Sequence, residues 1–174
     1  VLEGHCSPIR DVMQLNNGRI LSWSGDHSGH NDSIKLWDEK SGECLNTLEG
    51  HNGQINGFIQ LQNGHILSWG GDCSSGKDYV LKIWDADDGS LISTLYGHEG
   101  PIGGAIESAD GRLISYSSAQ KQRMTRKNRD RDAIRVWDQS TGKCLQIIPM
   151  KSRGMGVRYV QQLQNGKFIV MAGY

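Results

Sequence analysis

The sequence predicts an all-β fold assembled from repeated four-stranded antiparallel units. Three observations carry this. Glycine precedes histidine at Gly4-His5, Gly50-His51 and Gly97-His98, spaced 46 and then 47 residues apart. A Trp-Asp pair recurs at Trp37-Asp38, Trp84-Asp85 and Trp137-Asp138, spaced 47 and then 53. Between these marks the apolar residues are β-branched or aromatic and come in short runs, and no stretch shows helical spacing. A period of this length means one supersecondary unit per repeat, whose faces are covered by stacking on its neighbours.

Each unit contains four strand-like segments. The first carries Ile9, Val12 and Leu15, then Ile55, Phe58 and Leu61, then Ile102 and Ala105. It ends in Asn17-Gly18, Asn63-Gly64 or Asp110-Gly111, which reads as a two-residue hairpin with positive φ at both central positions. His65, just after Gly64, is then an exposed turn residue. The second segment reads ILSWS, ILSWG and LISYS, and the third IKLWD, LKIWD and IRVWD. A turn built on Gly42, Gly89 or Gly142 leads into the fourth, CLNTL, LISTL or CLQII. The units span about 6–49, 52–96 and 99–149, with half a unit over 154–174. In that half unit Val157, Val160, Leu163, Asn165-Gly166 and Phe168 keep the pattern, but Arg153 and Val170 take the places of the His and the Ser.

Four antiparallel strands cannot cover both faces of their sheet alone, whereas radial stacking covers them and leaves only short edges. The order Gly-His, Asn/Asp-Gly, a Ser in the second strand and Trp-Asp resembles the WD-repeat β-propeller family over essentially the whole chain. The resemblance implies a partial β-propeller of three full blades and about half a fourth. Closed rings use about 4–8 blades. The chain is therefore expected to be a fragment of a longer ring, with the remaining blades of the same parent chain as its neighbours. Self-association is the alternative.

The resemblance also implies a buried hydrogen-bond network in each blade: His5, Ser22, Asp26 and Trp37; His51, Ser68, Asp72 and Trp84; His98, Ser115 and Trp137. In the third blade Ala119 stands where the Asp would be, and Asp32, Asp78 and Asp132 are rival candidates for that role. The need for such a network is physical, because a buried indole N–H or hydroxyl without a partner costs about 1–3 kcal/mol. The three histidines are thus read as structural rather than catalytic. Trp23, Trp69 and Tyr116, each following the network Ser, are read as packing between blades.

Composition narrows the function. The chain carries 19 basic and 19 acidic residues, so any electrostatic signal must be local. No apolar run approaches the roughly 20 residues that span a bilayer, and neither a membrane nor a cofactor is expected. A cytoplasmic location is. Cys6, Cys44, Cys73 and Cys144 are spaced 38, 29 and 71 apart, which suits neither a zinc ribbon nor a disulfide scaffold. Cys44 and Cys144 read as small apolar filler. No nucleophile elbow or phosphate-binding loop is present. The expected function is a non-catalytic scaffold mediating protein–protein interaction.

Family members have short connections between the second and third strands. Here those gaps hold residues 27–32, 73–79 and 120–132, all on one face, and long loops on a rigid scaffold commonly carry binding groups. The third, QKQRMTRKNRDRD, sets Lys121, Arg123, Arg126, Lys127, Arg129 and Arg131 against Asp130 and Asp132. That cluster suits phosphates or carboxylates, and so an acidic or phosphorylated protein or peptide. Nucleic acid is disfavoured, since the loop offers no aromatic ring for stacking. A competing reading, a metal-dependent binder or enzyme, rests on His27 and His30 with Asp26, Asp32 and Cys73. Those ligand types would suit zinc, but their spacing is loose.

Overall fold

The computed structural model describes residues 2–25, 32–71, 78–117, 133–149 and 156–173. Every element among them is a strand. β1 (Ile9–Gln14), β2 (Ile20–Ser24), β3 (Ser33–Trp37) and β4 (Cys44–Leu48) form the first sheet. β5 (Ile55–Gln60), β6 (Ile66–Gly70), β7 (Leu81–Trp84) and β8 (Leu91–Leu95) form the second. β9 (Ile102–Glu107), β10 (Leu113–Ser117), β11 (Ala133–Trp137) and β12 (Cys144–Pro149) form the third. β13 (Gly156–Gln162) and β14 (Phe168–Gly173) pair as a two-stranded sheet. All pairings are antiparallel between chain neighbours. The architecture is the partial propeller that the repeats imply.

The hairpin turns differ from the two-residue form that the Asn-Gly and Asp-Gly pairs suggest. Gly18 N–H bonds to Leu15 O at 2.9 Å and Leu15 N–H to Arg19 O at 2.7 Å. This is a three-residue loop in which a type I turn is followed by glycine in the left-handed region. Gly18, Gly64, Gly111 and Gly166 take φ between 77° and 90°, and no described non-glycine residue has positive φ. The Asn or Asp before each glycine serves otherwise: Asn17 Oδ1 accepts from Arg19 N–H at 3.2 Å, and Asn63 Oδ1 from His65 N–H at 3.1 Å.

The core lies between sheets rather than within them. Because side chains alternate across a strand, Leu67 and Trp69 of β6 face the third sheet while Ile66 and Ser68 face the first. Leu67 and Trp69 accordingly cluster with Ile102, Ala105, Leu113 and Trp137. Ile66 and Trp84 cluster with Leu15, Leu21, Leu36 and Leu48. Tyr116 and Ile114 meet Val157 and Val160 of the two-stranded sheet, and Trp23 is partly buried against the first interface. Each such buried side chain contributes about 1.5–3 kcal/mol. Glycine makes room for the rings: a Cβ on Gly57 would lie 2.7 Å from the Trp69 ring, and one on Gly104 would run into Tyr116.

One sequence reading changes here. Cys44 and Cys144 open β4 and β12, the outer strands, and stand exposed as free thiols instead of serving as packed filler.

Candidate functional site

Sheet register brings one His, one Ser and one Trp together in each blade. The Ser lies in the second strand and pairs across to the third, two residues before the Trp along β3, β7 or β11. In the second blade, Trp84 Nε1 donates to Ser68 Oγ at 2.8 Å, and Ser68 Oγ lies 2.8 Å from His51 Nε2. The indole can only donate, so the hydroxyl accepts from it, and in the neutral tautomer that carries the ring proton on Nδ1 it donates to the imidazole. That leaves the Nδ1–H of His51 to donate to Asp78 Oδ2, 2.6 Å away. Asp78 also accepts from Asn52 N–H at 3.1 Å. The first blade repeats the chain, with Trp37 Nε1 2.8 Å from Ser22 Oγ and Ser22 Oγ 2.6 Å from His5 Nε2. There the far nitrogen meets Ser33 Oγ at 3.0 Å, and Ser33 lies 3.2 Å from Ser24 Oγ. In the third, Trp137 Nε1 is 2.9 Å and His98 Nε2 2.6 Å from Ser115 Oγ, while His98 Nδ1 has no partner among the described residues.

Asp26 and Asp72, and the rival Asp132, lie outside the described residues. Of the other rivals, Asp78 closes the chain on His51, whereas Asp32 turns to the next sheet and accepts from Ile55 N–H at 3.0 Å. The offset has a simple cause: Asp78 stands six residues before its Trp and Asp32 five, so Ser33 falls where the first blade's His needs an oxygen.

These groups are set for structure. Ser22, Ser68 and Ser115 are buried, as are the three Trp rings. Burial, reinforced by the Arg135 charge, lowers the His98 pKa from 6.5 to about 3. Burial, with Lys35 second, lowers that of His5 too. His5 and His98, kept neutral by burial and bonded through Nε2 to a buried Ser, are poorly placed to exchange a proton with a substrate near neutral pH. The glycine before each His is required by backbone geometry, since Gly4, Gly50 and Gly97 take φ of 137° to 146° and lie against the edges of Trp37, Trp84 and Trp137.

The Asp of each Trp-Asp pair has a separate task that the sequence reading did not assign. Asp38 Oδ1 accepts from Ser41 N–H at 2.7 Å and Lys40 N–H at 3.0 Å. Asp138 Oδ1 does so from Ser140 and Thr141, both at 2.9 Å. These bonds hold both carboxyls below the usual carboxylate range, led by the Ser41 N–H at Asp38 and the Ser140 side chain at Asp138. Each carboxylate thus builds the turn that Gly42 or Gly142 closes, as Asp and Asn do in such turns.

A second repeated contact also escaped the sequence reading. Asn16 N–H donates to Gln60 Oε1 at 2.8 Å, Gln62 N–H to Glu107 Oε2 at 2.6 Å, and Ala109 N–H to Gln162 Oε1 at 2.8 Å. The last residue of β5, β9 and β13 therefore latches its sheet to the preceding hairpin. The signal was available: Gln14, Gln60, Glu107 and Gln162 recur four residues before the hairpin glycine.

The basic candidates Lys121, Arg123, Arg126, Lys127, Arg129 and Arg131 lie outside the described residues, as do His27, His30 and Cys73. Among the described residues no group of three or more His, Cys, Asp or Glu side chains could hold a metal, and no helix is long and apolar enough to cross a membrane. Ser117, in the second strand beyond Tyr116, is buried and bonded.

The WD domain, G-beta repeat family matches residues 1–38 and 42–85. Among solved structures, the chain is similar to the WD40 β-propeller domain of Doa1, with a TM-score of 0.69 and 22% identity over 97% of this chain and 49% of that one. The chain therefore spans about half the length of that solved chain, and the likeness at this identity concerns the fold. No curated protein matches the sequence. Gly-His, Ser and Trp-Asp recur in phase on successive four-stranded sheets, residues 1–38 and 42–85 match the WD-repeat family, and the chain has the fold of a WD-repeat β-propeller.

Proposed function

We propose that this chain is a non-catalytic scaffold whose lengthened connections between second and third strands form a protein-binding surface. WD-repeat propellers generally mediate protein–protein interaction. One observation carries the finer reading: the repeated polar side chains, the obvious candidates for chemistry, are occupied inside the sheets by bonds of 2.6–3.0 Å. Recognition then falls to the rim. Strands alternate direction, so the ends of β2, β6 and β10, where the three long connections depart, share one face. The partner is an acidic or phosphorylated protein or peptide held by the basic residues of 121–131, in a cytoplasmic setting.

Reversing Arg123, Arg126, Arg129 and Arg131 to Glu tests this. Thermal stability should hardly change, while capture of immobilised acidic and phosphorylated peptides should be lost. Equal capture by both proteins would place recognition elsewhere.

A further inference from the structure

On the face opposite those long connections, the hairpin turns and the turns after each Trp-Asp pair border a groove between successive sheets. The chain occupies part of the first of these grooves itself. Arg19, after the first hairpin glycine, donates from Nη1 to Ala86 O at 3.1 Å, to Asp87 Oδ1 at 3.2 Å, and to Asp87 O. Asn17 assists, with Nδ2 3.1 Å from Ala86 O. The second groove has the same frame without the arginine. His65 stands where Arg19 does, and Gln139 and Ser140 stand where Ala86 and Asp87 do. The asparagine latch persists: the Gln139 amide, oriented to suit its neighbours, accepts from Asn63 Nδ2 at 2.7 Å and donates to Gly111 O at 3.1 Å. Among the described residues, no side chain does for the Gln139 and Ser140 carbonyls what Arg19 does for those of Ala86 and Asp87.

The consequence is space of a particular shape. The second groove has a volume of about 520 Å³, against about 290 Å³ for the first. Its wall includes Ile83 and the half-exposed Ile92, which would take an aliphatic stem. Asp110 and Asp138 line it, while Arg112, the one guanidinium there, is engaged by Asp110. A planar head that donates several bonds to carbonyl oxygens, on an apolar stem, describes arginine.

We infer that the groove between the second and third sheets is a docking slot for an arginine side chain of a partner peptide. The guanidinium bonds the Gln139 and Ser140 carbonyls as Arg19 bonds their counterparts, and its stem lies on Ile92. This surface is separate from the basic connection and stands or falls independently of it.

The probe is acetyl-Gly-Arg-Gly-amide titrated into the isotopically labelled 174-residue chain. Saturable amide shifts are expected at His65, Gln139 and Ser140, with binding about tenfold weaker or more when citrulline replaces arginine, because the charge-assisted bonds are lost. His65→Arg should supply the side chain internally, abolish those shifts and raise the thermal midpoint. Ser140→Asp, which restores the carboxylate of Asp87, should tighten binding, and reads out the proposal even if His65→Arg folds poorly. Absence of saturable shifts, shifts that survive in a folded His65→Arg protein, equal binding of the citrulline or lysine peptide, or no gain from Ser140→Asp would each overturn it.

Discussion

Ser68→Ala probes the junction on which the second blade depends. Ser68 is fully buried, and its one hydroxyl satisfies two other buried groups, Trp84 Nε1 and His51 Nε2, each at 2.8 Å. Alanine leaves both without a partner. An orphaned buried polar group costs about 1–3 kcal/mol, so the two together should lower stability by about 2–6 kcal/mol. That is a large share of the roughly 5–15 kcal/mol that holds a domain folded. Urea unfolding followed by tryptophan fluorescence and circular dichroism would measure it, with an unchanged denaturant slope confirming that the folded state is intact. Combining Ser68→Ala with Trp84→Phe should cost less than the two losses added, by about 0.5–3 kcal/mol, because both remove the same bond. A loss from Ser68→Ala under about 0.5 kcal/mol, the size of an ordinary surface substitution, would refute the argument that the network holds the blade. Ser117→Ala, which looks neutral from sequence alone, is no control, since Ser117 is itself buried and bonded.

Three further outcomes follow from the same geometry. Because burial lowers the His98 pKa from 6.5 to about 3, the unfolded chain takes up a proton that the fold refuses between those values. Stability should therefore be level above pH 7.5 and decline in acid, by about 2 kcal/mol at pH 5 from His98 alone; equal urea midpoints at pH 7.5 and pH 5 would contradict it. Gly57→Ala should destabilise by about 1–3 kcal/mol through overpacking against Trp69, and adding Trp69→Phe should recover part of that loss in thermal melts. Glu107→Ala should cost about 1 kcal/mol by removing the acceptor for Gln62 N–H, while Glu107→Gln, which keeps a carbonyl oxygen there, should cost less; equal losses would show that the latch contributes through charge instead.

The sequence by itself determined the class and phase of this protein. A period of 46 or 47 residues, short β-branched runs and a glycine turn at a fixed place in each unit admit strands and exclude helices, because these signals are local and each copy repeats them. What depends on register was not legible. Asp32 and Asp78 look equivalent in the sequence, yet one bonds Ile55 N–H and the other His51, since a one-residue shift relative to Trp redirects a side chain from its own sheet to the next. The three-residue hairpin was hidden for a similar reason: Asn-Gly fits both turn types, and the bond from Leu15 N–H to Arg19 O selects one. The recurrence of a polar residue four places before each hairpin glycine was legible, but only the tertiary structure shows that in β5, β9 and β13 it latches the neighbouring sheet. The same holds for the grooves, because the latch and groove contacts join residues 44 to 70 positions apart, at distances no local pattern encodes.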